Sequence, residues 1–168
     1  GAHDDGAGIV QSIEILRTFK KLGIKNNHTI RVVCFANEEN GVRGGNKYAE
    51  NMQKNKEKHI FAIESDGGGF TPRGIALVMS PEKRKEVQSW RNLFLPYGIH
   101  NFEFQYAGTD IEPMEKLGVP LAELVPDSQR YFDIHHTEED TFEKVNRREL
   151  LLGAVAMGQM IYMVDKNG

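Results

Sequence analysis

Apolar positions along this chain follow two different periods. Over residues 8–22, Ile9, Ile13, Leu16, Phe19 and Leu22 recur at spacings of three and four, which predicts a helix with these residues on its core face. After the turn GIKNNH, residues 29–36 read TIRVVCFA, apolar almost throughout, as strands covered on both faces tend to be. Shorter runs predict strands at 59–65, 74–80, 102–107 and 120–126, with helical stretches between them at 42–54, 82–96 and 110–117. A last helix is predicted over 147–164, with Leu150, Leu151, Ala154, Val155, Met157 and Ile161 toward a core and Met157, Met160 and Met163 as adaptable packing. Strands alternating with helices imply an α/β fold with a largely parallel sheet. With no internal repeat, low-complexity stretch or linker, residues 1–168 read as a single domain.

Composition narrows the function classes. At 168 residues the chain can bury a sizeable core, and a net charge of −3 gives no electrostatic case for a nucleic-acid partner. No apolar run reaches the roughly 18 residues that suggest a membrane span. Cys34 is the one cysteine, which excludes an intrachain disulfide, and its place inside the 29–36 run predicts a small core residue. The opening residues GAHDDGAG show no signal peptide and no initiator methionine, and they read as the interior of a functional loop, so a preceding N-terminal part is expected.

Candidate chemistry lies in acids placed at strand ends, where ligands bind in open α/β sheets. Glu38 and Glu39 follow the run 29–36, and Asp66 follows HIFAIES before the glycines of DGGG. Asp4 and Asp5 precede the first helix, and His135–His136 precede the last. Carboxylates and imidazole gathered from distant parts of a chain suit zinc. Each also has a plainer reading: a solvated glutamate pair, a helix cap at Asp4–Asp5, a turn at Asp66, surface histidines.

The blocks GAHDDGAG, NEENGVRGG after an apolar strand, ESDGGG and HHTEEDT occur in the order in which co-catalytic zinc exopeptidases carry them. With the looser GTDIEPMEKLGVP, they make residues 1–145 resemble that family, which includes bacterial leucyl aminopeptidases and plasma glutamate carboxypeptidase. The resemblance implies a three-layer α/β fold, with a mostly parallel central sheet and helices on both faces, here without its N-terminal strands. It implies two zinc ions, with Asp4 bridging them, Glu39 and His136 on one and Asp66 on the other. Glu38 would be the general base for hydrolysis of short peptides by metal-activated water, and Tyr106 would bind the substrate. Asp110 and Asp140 would orient a ligand imidazole or cap the helices that follow, and Asp4–Asp5 would be a cis peptide.

The family's remaining ligand is a histidine in an upstream H-x-D segment that these residues do not include; His3 adjoins Asp4, but its side chain is expected to point differently, so it is not taken as a substitute. One better-held zinc, on Asp4, Glu39 and His136, is therefore expected, with activity of the fragment impaired. An extracytoplasmic location is suggested by the resemblance alone. The alternatives are a non-catalytic binding domain of the same fold and a mononuclear zinc acyltransferase of the glutaminyl cyclase type.

Overall fold

The computed structural model describes residues 1–167. A wide, kinked turn, Ala2–Ala7, leads into helix α1, Gly8–Leu22, which ends on Gly23 in the left-handed conformation. Helix α2 spans Arg43–Lys54, strand β1 Ala62–Glu64 and strand β2 Pro72–Val78. Helix α3, Pro81–Ser89, is capped by the Ser80 hydroxyl and has proline in its first turn. A short helix α4, Arg91–Phe94, follows, then a tight 3-10 turn at Glu112–Leu117, strand β3 at Leu121–Pro126 and helix α5 at Arg147–Asn167.

The sheet has three strands in the order β1–β3–β2. The β1–β3 pair is parallel and the β2–β3 pair antiparallel, so the sheet is mixed where the sequence suggested mostly parallel. The reason is the link Ser65–Thr71, which contains no helix: a parallel crossover takes roughly a dozen residues or more, whereas a short return reverses direction. Successive β3 residues face opposite sides. Leu121 joins Ala49, Met52, Ile111 and Met114 on the α2 side, while Ala122 and Leu124 join Ile15, Phe19, Met157 and Met160 on the α1–α5 side. Apolar packing therefore covers both faces of the sheet.

Two predicted strands are not assembled. Beside β2 there is a parallel bridge, Gly74 to Asn101, just before the predicted strand, with the Ile75 N–H donated to the Asn101 carbonyl at 2.9 Å, and from 102–107 itself the Phe104 carbonyl accepts the Leu77 N–H at 3.0 Å. Thr29–Phe35 make no main-chain hydrogen bond to another main-chain group among the described residues. The side chains of Ile30, Val32, Val33 and Phe35 instead line a groove of about 500 Å³, opposite Phe61, Ala62 and Ile63. Cys34, expected in the core, is consequently exposed.

The helix faces also differ in part from the sequence reading. On α1 the buried stripe is Gln11, Ile15 and Phe19, while Ile9, Ile13 and Leu22 are exposed. Gln11 is held there by the Ser65 hydroxyl at 2.7 Å and by its own amide on the Leu150 carbonyl at 3.2 Å. On α5, Ala154, Met157 and Met160 are buried and Leu151 and Val155 are not. Both helices are apolar on more than one stripe, and their contact with each other selects which one is covered.

Candidate metal centre

Four loops meet above the sheet. Asp4 lies in the turn before α1, and the Asp4–Asp5 peptide bond is cis. Glu38 and Glu39 sit in a turn between Asn37 and Val42, both at positive φ. That turn is closed by Gly41 and Val42 N–H groups donating to the Glu38 carbonyl at 3.0 and 2.9 Å. Gly44 then brings the start of α2 against the Ala36 backbone so closely that a Cβ there would collide with it. Asp66 ends β1. His135 and His136 follow the turn Tyr131–Asp133, and Ile134, 7% exposed, anchors their loop in the core.

His136 joins three of these loops. Its Nε2 lies 3.2 Å from Asp4 Oδ2 and 2.8 Å from Glu39 Oε1. His135 Nε2 is 3.5 Å from the same Asp4 oxygen, and its ring stacks on that of His136 at 3.7 Å. Ligand atoms of Asp4, His135 and His136 all lie within 4.8 Å of one another, a donor set suited to a metal ion. Glu39 reaches this group through His136.

Asp66 is half-buried. Burial, then the charges of Asp4, Glu38 and Glu39, push its carboxyl above the usual range, with His135 pulling the other way. Asp66 is therefore within electrostatic reach of the other three loops. Around it stands a second layer of acids that sequence reasoning missed. Burial pushes Glu64 up to about 8, although its carboxylate accepts the N–H groups of Asp110 and Ile111. Burial and Asp66 raise Glu123, its cross-strand partner, to about 7. Asp5 rises to about 7 and Asp110 to about 6, each chiefly by burial and then by neighbouring carboxylates. A bound cation would ease the ionisation of this many neighbouring acids. In the sequence, the acidic glutamates inside AIE and LAELVP were the available signal, because an acid in an apolar strand has no bland surface reading.

Tyr106 is half exposed, with burial and then Glu123 raising its phenol, and it makes no hydrogen bond to Asp4, Glu38, Glu39, Asp66, His135 or His136 among the described residues. A different phenol, Tyr131, packs 4.6 Å from the His135 ring and is raised by burial and then by Asp4, Asp66 and Glu39. His3 is buried, stacked on Phe70 at 4.1 Å, with Nδ1 accepting the Gly69 N–H at 3.0 Å, so it faces the core. Neither Asp110 nor Asp140 hydrogen-bonds an imidazole. Asp110 donates its main-chain N–H to Glu64, and Asp140 accepts main-chain N–H groups of the Asp4 turn.

A mixed α/β sheet with carboxylates and imidazoles converging at the strand ends places the molecule among α/β proteins with a metal-type centre. More narrowly, the chain belongs to peptidase family M28, whose pattern matches residues 1–159. It is 32% identical to carboxypeptidase Q of Mus musculus over 164 residues, 98% of this chain and 35% of that protein. It is 22% identical to aminopeptidase YwaD of Bacillus subtilis (strain 168) over 159 residues, 89% of this chain and 34% of that protein. Among solved structures it matches a peptidase M28 precursor from Shewanella amazonensis SB2B, with a TM-score of 0.91 and 34% identity, over 98% of this chain and 38% of that one. The chain thus spans about a third of the length of the curated relatives it matches.

Proposed function

We propose that this chain carries the metal-binding core of a zinc-dependent exopeptidase acting on short peptides outside the cytoplasm. The observation that supports this reading most is the meeting at His136 of two carboxylates, Asp4 and Glu39, from loops far apart in sequence. Asp4, Glu39 and His136 would hold the better-retained zinc, with His135 beside them, and Asp66 would complete a second position with Asp4. Zinc in such a site lowers the pKa of a bound water toward about 7 and polarises a carbonyl. Glu38 is the proton acceptor for the attacking water and returns that proton to the leaving amine. Its charge reaches both Asp66 and Asp110, which supports a position for it close to the centre. The Tyr131 phenol, kept protonated, is available to donate to the developing oxyanion.

Zinc titration of the purified chain tests the assignment. About one zinc per chain is expected, lost in Glu39→Ala and His136→Ala and retained in Glu38→Ala. Loss of zinc in Glu38→Ala with retention in Glu39→Ala would exchange the roles of the two glutamates. Uptake of no zinc by the unmodified chain would overturn the reading.

A further inference from the structure

The main chain of the turn that carries Asp4 is tied to the loop that carries His136 through Asp140, and we propose that Asp140 is the positioning residue that holds Asp4 at the centre. This rests on the zinc-site reading above. Asp140 Oδ1 accepts the His3 N–H at 2.7 Å, and Oδ2 accepts the Asp4 N–H at 3.0 Å. Its main-chain carbonyl accepts the Ala2 N–H at 3.2 Å. Three consecutive amides of the turn end on this one residue, and they have no other acceptor among the described residues. The carboxylate is 5% exposed, and besides these amides it faces the Gly1 amino group, 3.6 Å from Oδ2.

The geometry separates this role from the two plainer ones. Asp140 does not cap the following turn at Phe142–Lys144, which has no side-chain cap, and it contacts no histidine ring. An ionised carboxylate only accepts, and it places two oxygens side by side, which matches two successive N–H groups of one turn. Because Asp140 and His136 belong to the same short loop, anchoring the backbone of Asp4 to Asp140 sets the 3.2 Å approach of Asp4 Oδ2 to His136 Nε2. Asp140 thereby positions a ligand through the main chain, without touching the metal.

The test compares Asp140→Asn with Glu138→Gln, an exposed neighbour in the same loop, since both remove one negative charge but only the first removes an acceptor from the turn. Zinc affinity is read by competition titration, coordination by the visible absorption of the cobalt(II)-loaded chain, and the turn by hydrogen exchange at the His3 and Asp4 amides. In Asp140→Asn zinc should bind about 10- to 100-fold more weakly, as with other supporting groups, with an altered cobalt spectrum and faster Asp4 exchange. Glu138→Gln should stay within about twofold on all three. Should Asp140→Asn not fold, Asp140→Glu keeps charge and acceptors but displaces them by one methylene, and it should still weaken zinc by about fivefold or more. A folded variant at Asp140 with wild-type affinity and spectrum overturns the proposal. If the unmodified chain takes up no zinc, the zinc-site reading fails instead. Asp4 exchange then decides for Asp140 by itself, and an unchanged rate in Asp140→Asn overturns it.

Discussion

Leu121–Pro126 and Thr29–Ala36 are both short, apolar, β-branched or leucine-rich runs, yet they end in opposite states. Leu121–Pro126 is the central strand, hydrogen-bonded on both edges, with Leu121, Ala122 and Leu124 at 0% exposure. Thr29–Phe35 has neither edge paired, and its apolar side chains line an open groove. Strand hydrogen bonds lie between segments, so a run with strand composition becomes a strand only when a partner lies alongside it. The candidate metal centre draws on both kinds of region: Asp66 follows the paired β1, whereas Glu38 and Glu39 follow the unpaired run and precede the start of α2 that packs against it.

The largest expected contrast is in hydrogen exchange. Amides of Leu121–Val125 should exchange about a thousandfold or more slower than those of Thr29–Phe35, since core strands open only with global unfolding and unpaired segments need no opening. Comparable protection in the two runs would mean that Thr29–Phe35 has acquired a partner in solution. Next, Leu124→Ala should cost about 2–5 kcal/mol by urea denaturation, and Val32→Ala less than about 1 kcal/mol, because only the first leaves a cavity in a closed core.

A third contrast is with pH. Glu64, Glu123, Asp5 and Asp110 have folded pKa values raised to about 8, 7, 7 and 6, so the folded state holds more protons than the unfolded one above pH 4. Their contribution is fully present below the unfolded pKa values and is lost as pH rises toward 8. The metal-free chain should therefore melt about 5 °C or more lower at pH 8 than at pH 5, and Glu64→Gln should flatten that slope. A Tm that rises over this range would refute the burial of these acids. The smallest effect concerns Cys34, which should react with a small thiol reagent at close to the rate of a free thiol in the native chain. A cysteine placed at Leu124 in a Cys34→Ser background should wait for unfolding.

Several elements were readable from the chain alone. The apolar spacings along the chain located α1 and α5, and the helical stretch expected at 82–96 covers most of α3 and α4. These are local signals, because helix hydrogen bonds and caps join residues within one turn or so of each other. The acids Asp4, Glu38, Glu39 and Asp66 and the histidine pair were likewise visible as residues, and their order along the chain carried the family resemblance.

Only the tertiary structure decided what depends on partners far along the chain. It left 29–36 unpaired and Cys34 exposed, ran β2 antiparallel, and chose Gln11, Ile15 and Phe19 as the covered stripe of α1. It brought His135 as well as His136 to Asp4, placed Tyr131 beside them, buried Glu64 against Glu123, and turned Asp140 toward main-chain amides near the start of the chain. Each of these outcomes rests on contacts across tens of residues, and the identity of a residue leaves such contacts open until the whole chain has packed.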